Sequence, residues 1–418
     1  MIGVLRPYND GVRYGILADD LTGSCDVAGR LTHLGYRPVV SVRPPEGTKR
    51  IPPWSGESCI VVVNTRSREC SASEAKARVR AAARMLERGR IPVVYHKTDS
   101  TLRGHWAEEL AAITRIAHPD TILICPAFPA QGRHIERGKL LVDPEVSLGL
   151  LFSFERMEGE SLREHLEKSC DWDAMEIPRK ILRRGARAVR EALDAGSEPR
   201  CGVFDASHDG DLAAIGRVSR KLEGRVLCVG SAGLAPHVVP KRATPELADE
   251  SRSAHPWLLI QGSRRSISHE QFHQLSRARD LHLMSFSPWR GREKRQAWCD
   301  EAVDALNLGK DVAIAVPEHH DTAAAYSMPS AFEGLFRTVL REATLGGVFI
   351  SGGRTAEAVC DSLRVKALQV TEEVSPGIPT SIALDGWNPG LRFVTKAGGF
   401  GGPETVREIL EEYIRARR

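Results

Sequence analysis

The 418-residue sequence has no apolar run of membrane-spanning length. Its densest stretches, Cys59-Ile60-Val61-Val62-Val63 and Ile122-Leu123-Ile124-Cys125, are strand-sized, against the roughly 20 residues that a transmembrane helix needs. A basic, apolar leader is missing as well, so no membrane partner and a cytoplasmic location are expected. The nine cysteines (Cys25, Cys59, Cys70, Cys125, Cys170, Cys201, Cys228, Cys299, Cys360) are odd in number, scattered and without a C-x-x-C pair. That pattern excludes a disulfide framework and predicts buried thiols in a reducing compartment. No His/Cys cluster has zinc-ligand spacing, the His319-His320 doublet included, and no structural metal is expected. Charge of one sign is also scarce: 58 Lys+Arg against 54 Asp+Glu leave +4, too even to demand a nucleic-acid partner. The basic clusters at 179–190 and 290–295 have no interleaved aromatics and read as solvated faces. There is no G-x-x-x-x-G-K-[ST] P-loop, so a nucleotide would have to be held by other turns. Internal repeats and low-complexity tracts are missing too.

What is present is 42% hydrophobic and 27% charged residues, enough for a packed core. At roughly 100–200 residues per domain the length implies two. Short β-rich runs at 14–18, 38–42, 59–63, 92–95, 121–125, 202–204 and 226–229 alternate with helical patterns. One helix is expected over 73–86, with Ser73 as its cap, Val79, Ala82, Ala83 and Leu86 on one face, and Gly89 ending it. The stretch from Pro240 to Pro256 is rich in Pro, Ser, Ala and charge and reads as a linker. A second set of strands follows at 257–260, 281–285, 312–316, 348–351 and 391–395, with helices near 355–363 and 404–417. The predicted fold is α/β: two α/β domains, 1–240 and 257–418, joined by a linker at 241–256, each built on a mainly parallel sheet, with a cleft between them.

In parallel sheets ligands collect beyond the carboxyl ends of strands, and the residues at those ends are polar here. The first strand runs into Ala18-Asp19-Asp20-Leu21-Thr22-Gly23-Ser24. Adjacent side chains on a turn cannot point the same way, so one carboxylate can face a ligand while the other caps the helix starting near Thr22. The third strand ends in Asn64-Thr65-Arg66-Ser67-Arg68. The fourth ends in His96-Lys97-Thr98-Asp99-Ser100-Thr101-Leu102-Arg103-Gly104. The fifth ends in a Pro-stiffened loop carrying Gln131 and Arg133. Lys97 and Arg103 suit a substrate carboxylate, and the hydroxyls suit sugar-type OH groups. These ends agree on an anionic, hydroxylated ligand.

The second half offers glycine turns instead: Gln261-Gly262-Ser263-Arg264-Arg265-Ser266, Ser351-Gly352-Gly353-Arg354-Thr355 and Lys396-Ala397-Gly398-Gly399-Phe400-Gly401-Gly402. Glycine lets backbone N–H groups approach an oxyanion closely, and a helix start favours phosphate.

Together, and in this order, these stretches resemble the four-carbon acid sugar kinase family, formerly a domain of unknown function, which phosphorylates tetronates such as threonate, erythronate and 3-oxo-tetronate. The resemblance also draws on Pro126-Ala127-Phe128-Pro129, Gly132-Arg133 and Gly230-Ser231-Ala232-Gly233-Leu234, and it covers nearly the whole chain. It implies an amino-terminal domain binding the sugar acid and a carboxy-terminal domain binding ATP. Asp19 or Asp20, Arg68, Lys97, Thr98, Asp99 and Ser100 would contact the acid, with Arg68 preferred over Arg66 because the family's arginine follows a serine. Ser263, Gly352, Gly353, Arg354, Thr355, Gly398 and Gly399 would contact ATP. Arg354 departs from the family, which usually carries Asp there.

Phosphoryl transfer asks mainly for placement and charge neutralisation, so Mg²⁺ is expected beside ATP. Asp20 or Asp19, unranked, would act as general base on the terminal hydroxyl, with Lys97, Arg103 and Arg133 on the anionic side of the substrate. Linker hinging would exclude water. Alternatives are a branched or oxidised pentonate such as 3-oxo-isoapionate, or a non-catalytic acid-sugar sensor. Assembly as a homo-oligomer is left open.

Overall fold

The structure, a computed structural model, describes residues 13–43, 60–144, 159–196, 199–242, 254–277, 281–285, 292–315 and 336–415. Two compact units divide the chain, Met1–Glu246 and Leu247–Arg418. Most of the expected linker, Cys59, the His319-His320 doublet and the end of the closing helix lie outside the described residues.

In the first unit the strands are β1 (Tyr14–Ala18), β2 (Val39–Ser41), β3 (Ile60–Asn64), β4 (Val93–Lys97), β5 (Thr121–Cys125), β6 (Arg133–Glu136), β7 (Lys139–Val142), β8 (Met175–Ile177), β9 (Arg200–Phe204) and β10 (Val226–Gly230). The sheet order is β2-β3-β1-β4-β10-β5-β9-β8, parallel throughout. A parallel strand is covered on both faces, so β3 opens with four β-branched residues, Ile60 to Val63, and is buried along its length. The helices α1 (Leu21–Thr32), α2 (Ala72–Arg88) and α3 (Trp106–Ala117) follow β1, β3 and β4.

The expected face of α2 is buried, but its cap is Ser71 rather than Ser73. Ser71 accepts from the Glu74 amide while the Glu74 carboxylate accepts from the Ser71 amide, a reciprocal capping box that Ser73 could not form with Glu74 next to it. Two elements lay outside the sequence expectation. The antiparallel β6–β7 ribbon is short and half polar, and β8 has only three residues.

The second unit contains β11 (Trp257–Gln261), β12 (Leu281–Ser285), β13 (Asp311–Ala315), β14 (Gly347–Ser351), β15 (Ala367–Ser375), β16 (Ile378–Ala383) and β17 (Arg392–Lys396). Its order is β12-β13-β11-β14-β17-β16-β15, parallel up to β17 and antiparallel beyond. The unforeseen β15–β16 hairpin carries Glu372-Glu373 and Pro379, which broke its apolar pattern. Trp257, Leu259, Phe349 and Val394 pack with Phe272 and Leu410 into one core. The closing helix is a short α turn, Thr405–Glu408, widening into a π-helical stretch, Ile409–Ile414.

Six cysteines are buried as expected, whereas Cys70 and Cys170 are only half-buried. No helix among the described residues is long and apolar enough to cross a membrane.

Candidate active site

Chain order reverses at β1: β2 and β3 lie to one side of it and β4 to the other. A crevice opens at such a switch point beyond the strand ends. The register brings four ends level, Ala18 pairing with Asn64 on β3 and with Lys97 on β4, and Lys97 with Gly230 on β10. The loop after β3 is then fastened to β1, because the amides of Ser67 and Arg68 both donate to the Asp19 carbonyl, at 2.9 and 3.2 Å.

That fastening aims Arg68 at three carboxylates. Its guanidinium grips Asp19 with two bonds, Nε to Oδ2 at 2.7 Å and Nη2 to Oδ1 at 2.8 Å. Nη1 reaches Asp20 Oδ2 at 2.5 Å, and Asp99 Oδ1 stands 3.7 Å away. Asp99 is also held by Arg103, Nε to Oδ2 and Nη2 to Oδ1, both at 2.8 Å, and by the Thr101 hydroxyl. Burial would drive Asp99 toward its neutral form, but Arg103 and Arg68 outweigh it and hold the carboxyl well below the ordinary carboxylate range. Asp19 goes the other way. Burial pushes it up and Asp20 adds to that, so it ends raised despite Arg68.

The two adjacent carboxylates divide as a strand-to-helix turn requires. Asp20 caps α1, Oδ1 accepting from the Gly23 amide and Oδ2 from the Thr22 hydroxyl, each at 2.8 Å. Lys97 is 4% exposed. Its ammonium donates to the Thr98 carbonyl at 2.8 Å, and no carboxylate lies at ion-pair distance among the described residues. The Thr98 hydroxyl is buried without a partner, and Ser100 is buried beside it.

Asp19, Asp20, Arg68, Lys97, Thr98, Asp99, Ser100 and Arg103 therefore share one edge. Arg103, expected on the ligand carboxylate, is engaged by Asp99 instead, because their spacing of four residues lets the guanidinium fold back onto it. Arg133 lies on β6, its guanidinium donating to the Gln131 carbonyl. Arg66 sits in a left-handed conformation (φ 51°) and turns back to the Val42 carbonyl. A pair absent from the sequence expectation lies behind this edge: His96 Nε2 and Glu109 Oε2 meet at 2.9 Å, both almost fully buried. Nothing in the sequence linked a helix glutamate to a strand histidine.

The second unit repeats the switch-point logic at β11, with β12 and β13 on one side and β14 and β17 on the other. Gln261, Ser351 and Lys396 pair across the sheet at one level, so the three glycine turns start side by side. The Gly262 amide donates to the Ser351 carbonyl at 3.0 Å and the Gly352 amide to the Lys396 carbonyl at 2.9 Å. Ser263 lies against Gly398, and Thr355 against Gly262. Gly352, at φ 115°, opens the helix Gly353–Ser362, whose start has no side-chain cap. A Cβ at Gly399 would meet nothing within 4 Å, so there is open space above the third turn. Uncapped helix amides, close turns and that space fit a polyphosphate. Arg354 stands in the first turn of the same helix. No group of three or more His, Cys, Asp or Glu among the described residues could hold a metal ion. Lys396, which the sequence offered only as part of its motif, is fully buried beneath the third turn.

Comparison with known proteins assigns both units. Residues 14–238 match a sugar-binding N-terminal domain and residues 258–406 a nucleotide-binding C-terminal domain. The chain is similar to a D-threonate kinase of Bordetella bronchiseptica, 29% identical and covering 98% of this chain and 99% of that one. It is also similar to a 3-oxo-tetronate kinase of Cupriavidus necator, 28% identical over 95% and 96% of the two chains. A solved structure from Salmonella typhimurium LT2, carrying the provisional name of a tRNA synthase, shares the fold: TM-score 0.78, 23% identity, 96% of this chain and 99% of that one. Two edge-of-sheet sites, one rich in paired charges and one in glycine amides, thus fall in domains of matching description, and the chain belongs to the four-carbon acid sugar kinase family.

Proposed function

We propose that this kinase transfers the γ-phosphoryl group of ATP to the terminal hydroxyl of a tetronate or 3-oxo-tetronate, as the names of its relatives suggest. The observation that carries this reading is Lys97, a nearly buried ammonium with one carbonyl partner and two N–H donors left over. A buried cation left in that condition calls for an anionic ligand, and the Thr98 hydroxyl beside it has no partner of its own.

Asp19 is the better general base of the adjacent pair. A carboxylate offers about four acceptor positions. Asp20 gives three of them to Gly23, Thr22 and Arg68, whereas Asp19 gives two, both to Arg68. Burial also raises the proton affinity of Asp19, in the direction that a proton acceptor needs. Lys97 and Thr98 orient the acid, and Arg68 keeps Asp19 pointed at the hydroxyl. The amides of the turns at Ser263, Gly352–Gly353 and Gly398–Gly399, with Thr355, hold the phosphates. A cation in the first turn of a helix is opposed by the helix dipole, so Arg354 is better placed once a polyphosphate lies over that turn. Mg²⁺ accompanying the nucleotide supplies neutralisation of charge on the transferred oxygens.

The test is ADP release from Mg-ATP over threonates, erythronates, 3-oxo-tetronates and apionate derivatives. Turnover on a four-carbon acid is expected, and turnover on none of them would defeat the reading. On the best acceptor, Asp19→Asn should lower kcat by about 10²-fold or more, the usual weight of a general base. Asp20→Asn should lose less, because Asn caps a helix as well as Asp does. Full turnover by Asp19→Asn would reject Asp19 as base.

A further inference from the structure

Lys396 is the last residue of β17 and is fully buried. Its ammonium donates to three backbone carbonyls of the turn that follows: Ala397 at 3.1 Å, Gly398 at 3.3 Å and Phe400 at 3.0 Å. Three N–H donors meet three acceptors, which matches the protonated form of the side chain. In a planar trans peptide the C=O and the following N–H point in opposite directions. Drawing those three carbonyls inward therefore turns outward the amides of Gly398, Gly399 and Gly401. None of these amides has a hydrogen bond among the described residues, and above Gly399 there is open space.

We propose that Lys396 is the positioning residue of the third nucleotide turn, its ammonium holding the carbonyls of Ala397, Gly398 and Phe400 inward so that the amides of Gly398, Gly399 and Gly401 face a bound polyphosphate. The inference rests on reading these turns as the nucleotide site. It carries a thermodynamic signature, because the lysine has no counter-charge among the described residues. The described groups that bond its carbonyl partners or flank it in the sheet are neutral. Ser268 and Gln271 of the helix Ser266–Gln274 bond the same carbonyls, Ser351 is its partner on β14, and β16 carries no charged side chain. The cations on the adjoining turns are Arg265, lying against Gly398, and Arg354. Burial pulls the Lys396 ammonium down to about 7. Polyphosphate charge arriving over the turn favours the protonated form, so above that pH nucleotide binding takes up a proton.

Calorimetric titration of the full chain with MgADP, which binds without turnover, tests this in two buffers of different protonation heat. At pH 8 the terminal phosphate is itself ionised, its second pKa being about 6. The wild-type chain should take up close to one proton at pH 8, on the order set by linkage, and almost none at pH 6. Lys396→Arg keeps a charge that does not titrate and should bind MgADP with no uptake. Lys396→Met should lose the uptake and about tenfold or more in affinity, a loss of one charge-assisted set of bonds. Binding by the wild-type chain at pH 8 without proton uptake overturns the proposal, as does undiminished uptake in Lys396→Arg. Neither outcome requires the methionine variant to fold. Failure of the wild-type chain to bind MgADP at any pH would instead remove the nucleotide reading itself, and this inference with it.

Discussion

Gly23 stands in the first turn of α1, where exchanging glycine for alanine would ordinarily stabilise a helix by roughly 0.5–1 kcal/mol. Here an added Cβ would lie 2.5 Å from Asp20 Oδ1 and 3.1 Å from Lys97 Nζ. Gly23→Ala must therefore push the cap and the ammonium apart. Because misplacement on the ångström scale costs on the order of 10²-fold in such sites, the KM for the acid sugar should rise about tenfold or more while MgADP affinity holds. Steady-state kinetics beside a nucleotide titration checks this, and an unchanged KM would mean that the Lys97 ammonium need not sit where it does. At this scale the sequence was informative about which residues the fold gathers at one edge. Asp19, Asp20, Arg68, Lys97, Asp99 and Arg103 are polar groups at strand ends, where capping alone does not call for so many. What each does was hidden, because the sharing of Arg68 among three carboxylates depends on the pairing of β1 with β3 and β4. Lys396 was hidden for a related reason: a lysine ending an apolar strand looks like any exposed one until the chain folds its own carbonyls over it.

Among the elements, α2 shows how a local rule fixes a boundary. Its box joins Ser71 and Glu74, and Ser71→Ala removes the side-chain half. A loss of about 1 kcal/mol is expected, read as a lower urea midpoint, with kcat unaltered because Ser71 touches none of the site residues. A midpoint equal to wild type would show the glutamate half to be sufficient. Long β-branched runs such as β3 were legible because a strand buried on both faces must be apolar throughout. The β15–β16 hairpin was not: Glu372 and Glu373 stand in the half-buried end of β15, and Pro379 interrupts the pattern of β16 although that strand is almost wholly buried. Three-residue β8 offers too little pattern for any period to emerge.

For the whole molecule, the chain divides into Met1–Glu246 and Leu247–Arg418, and the charged strand ends lie in the first unit while the glycine turns lie in the second. Hydrogen exchange tests whether each half keeps its own ligand. MgADP should slow amide exchange at 262–263, 352–355 and 398–401, whereas a tetronate should slow it at 19–24 and 97–103. At 100 times Kd either ligand adds about 2.7 kcal/mol to the stability of the state it binds, which is ample for detection. Protection by MgADP confined to 19–24 and 97–103 would reverse the assignment of the halves.

The contacts at Gly262 and Gly398 have one last consequence. The hydroxyl of Thr355 occupies the place of a side chain at Gly262, and the hydroxyl of Ser263 does the same at Gly398. Each turn is thereby wedged into the next like stones in an arch. A ligand pressing on any one of them would load all three, so the cradle would tighten or slacken as one piece.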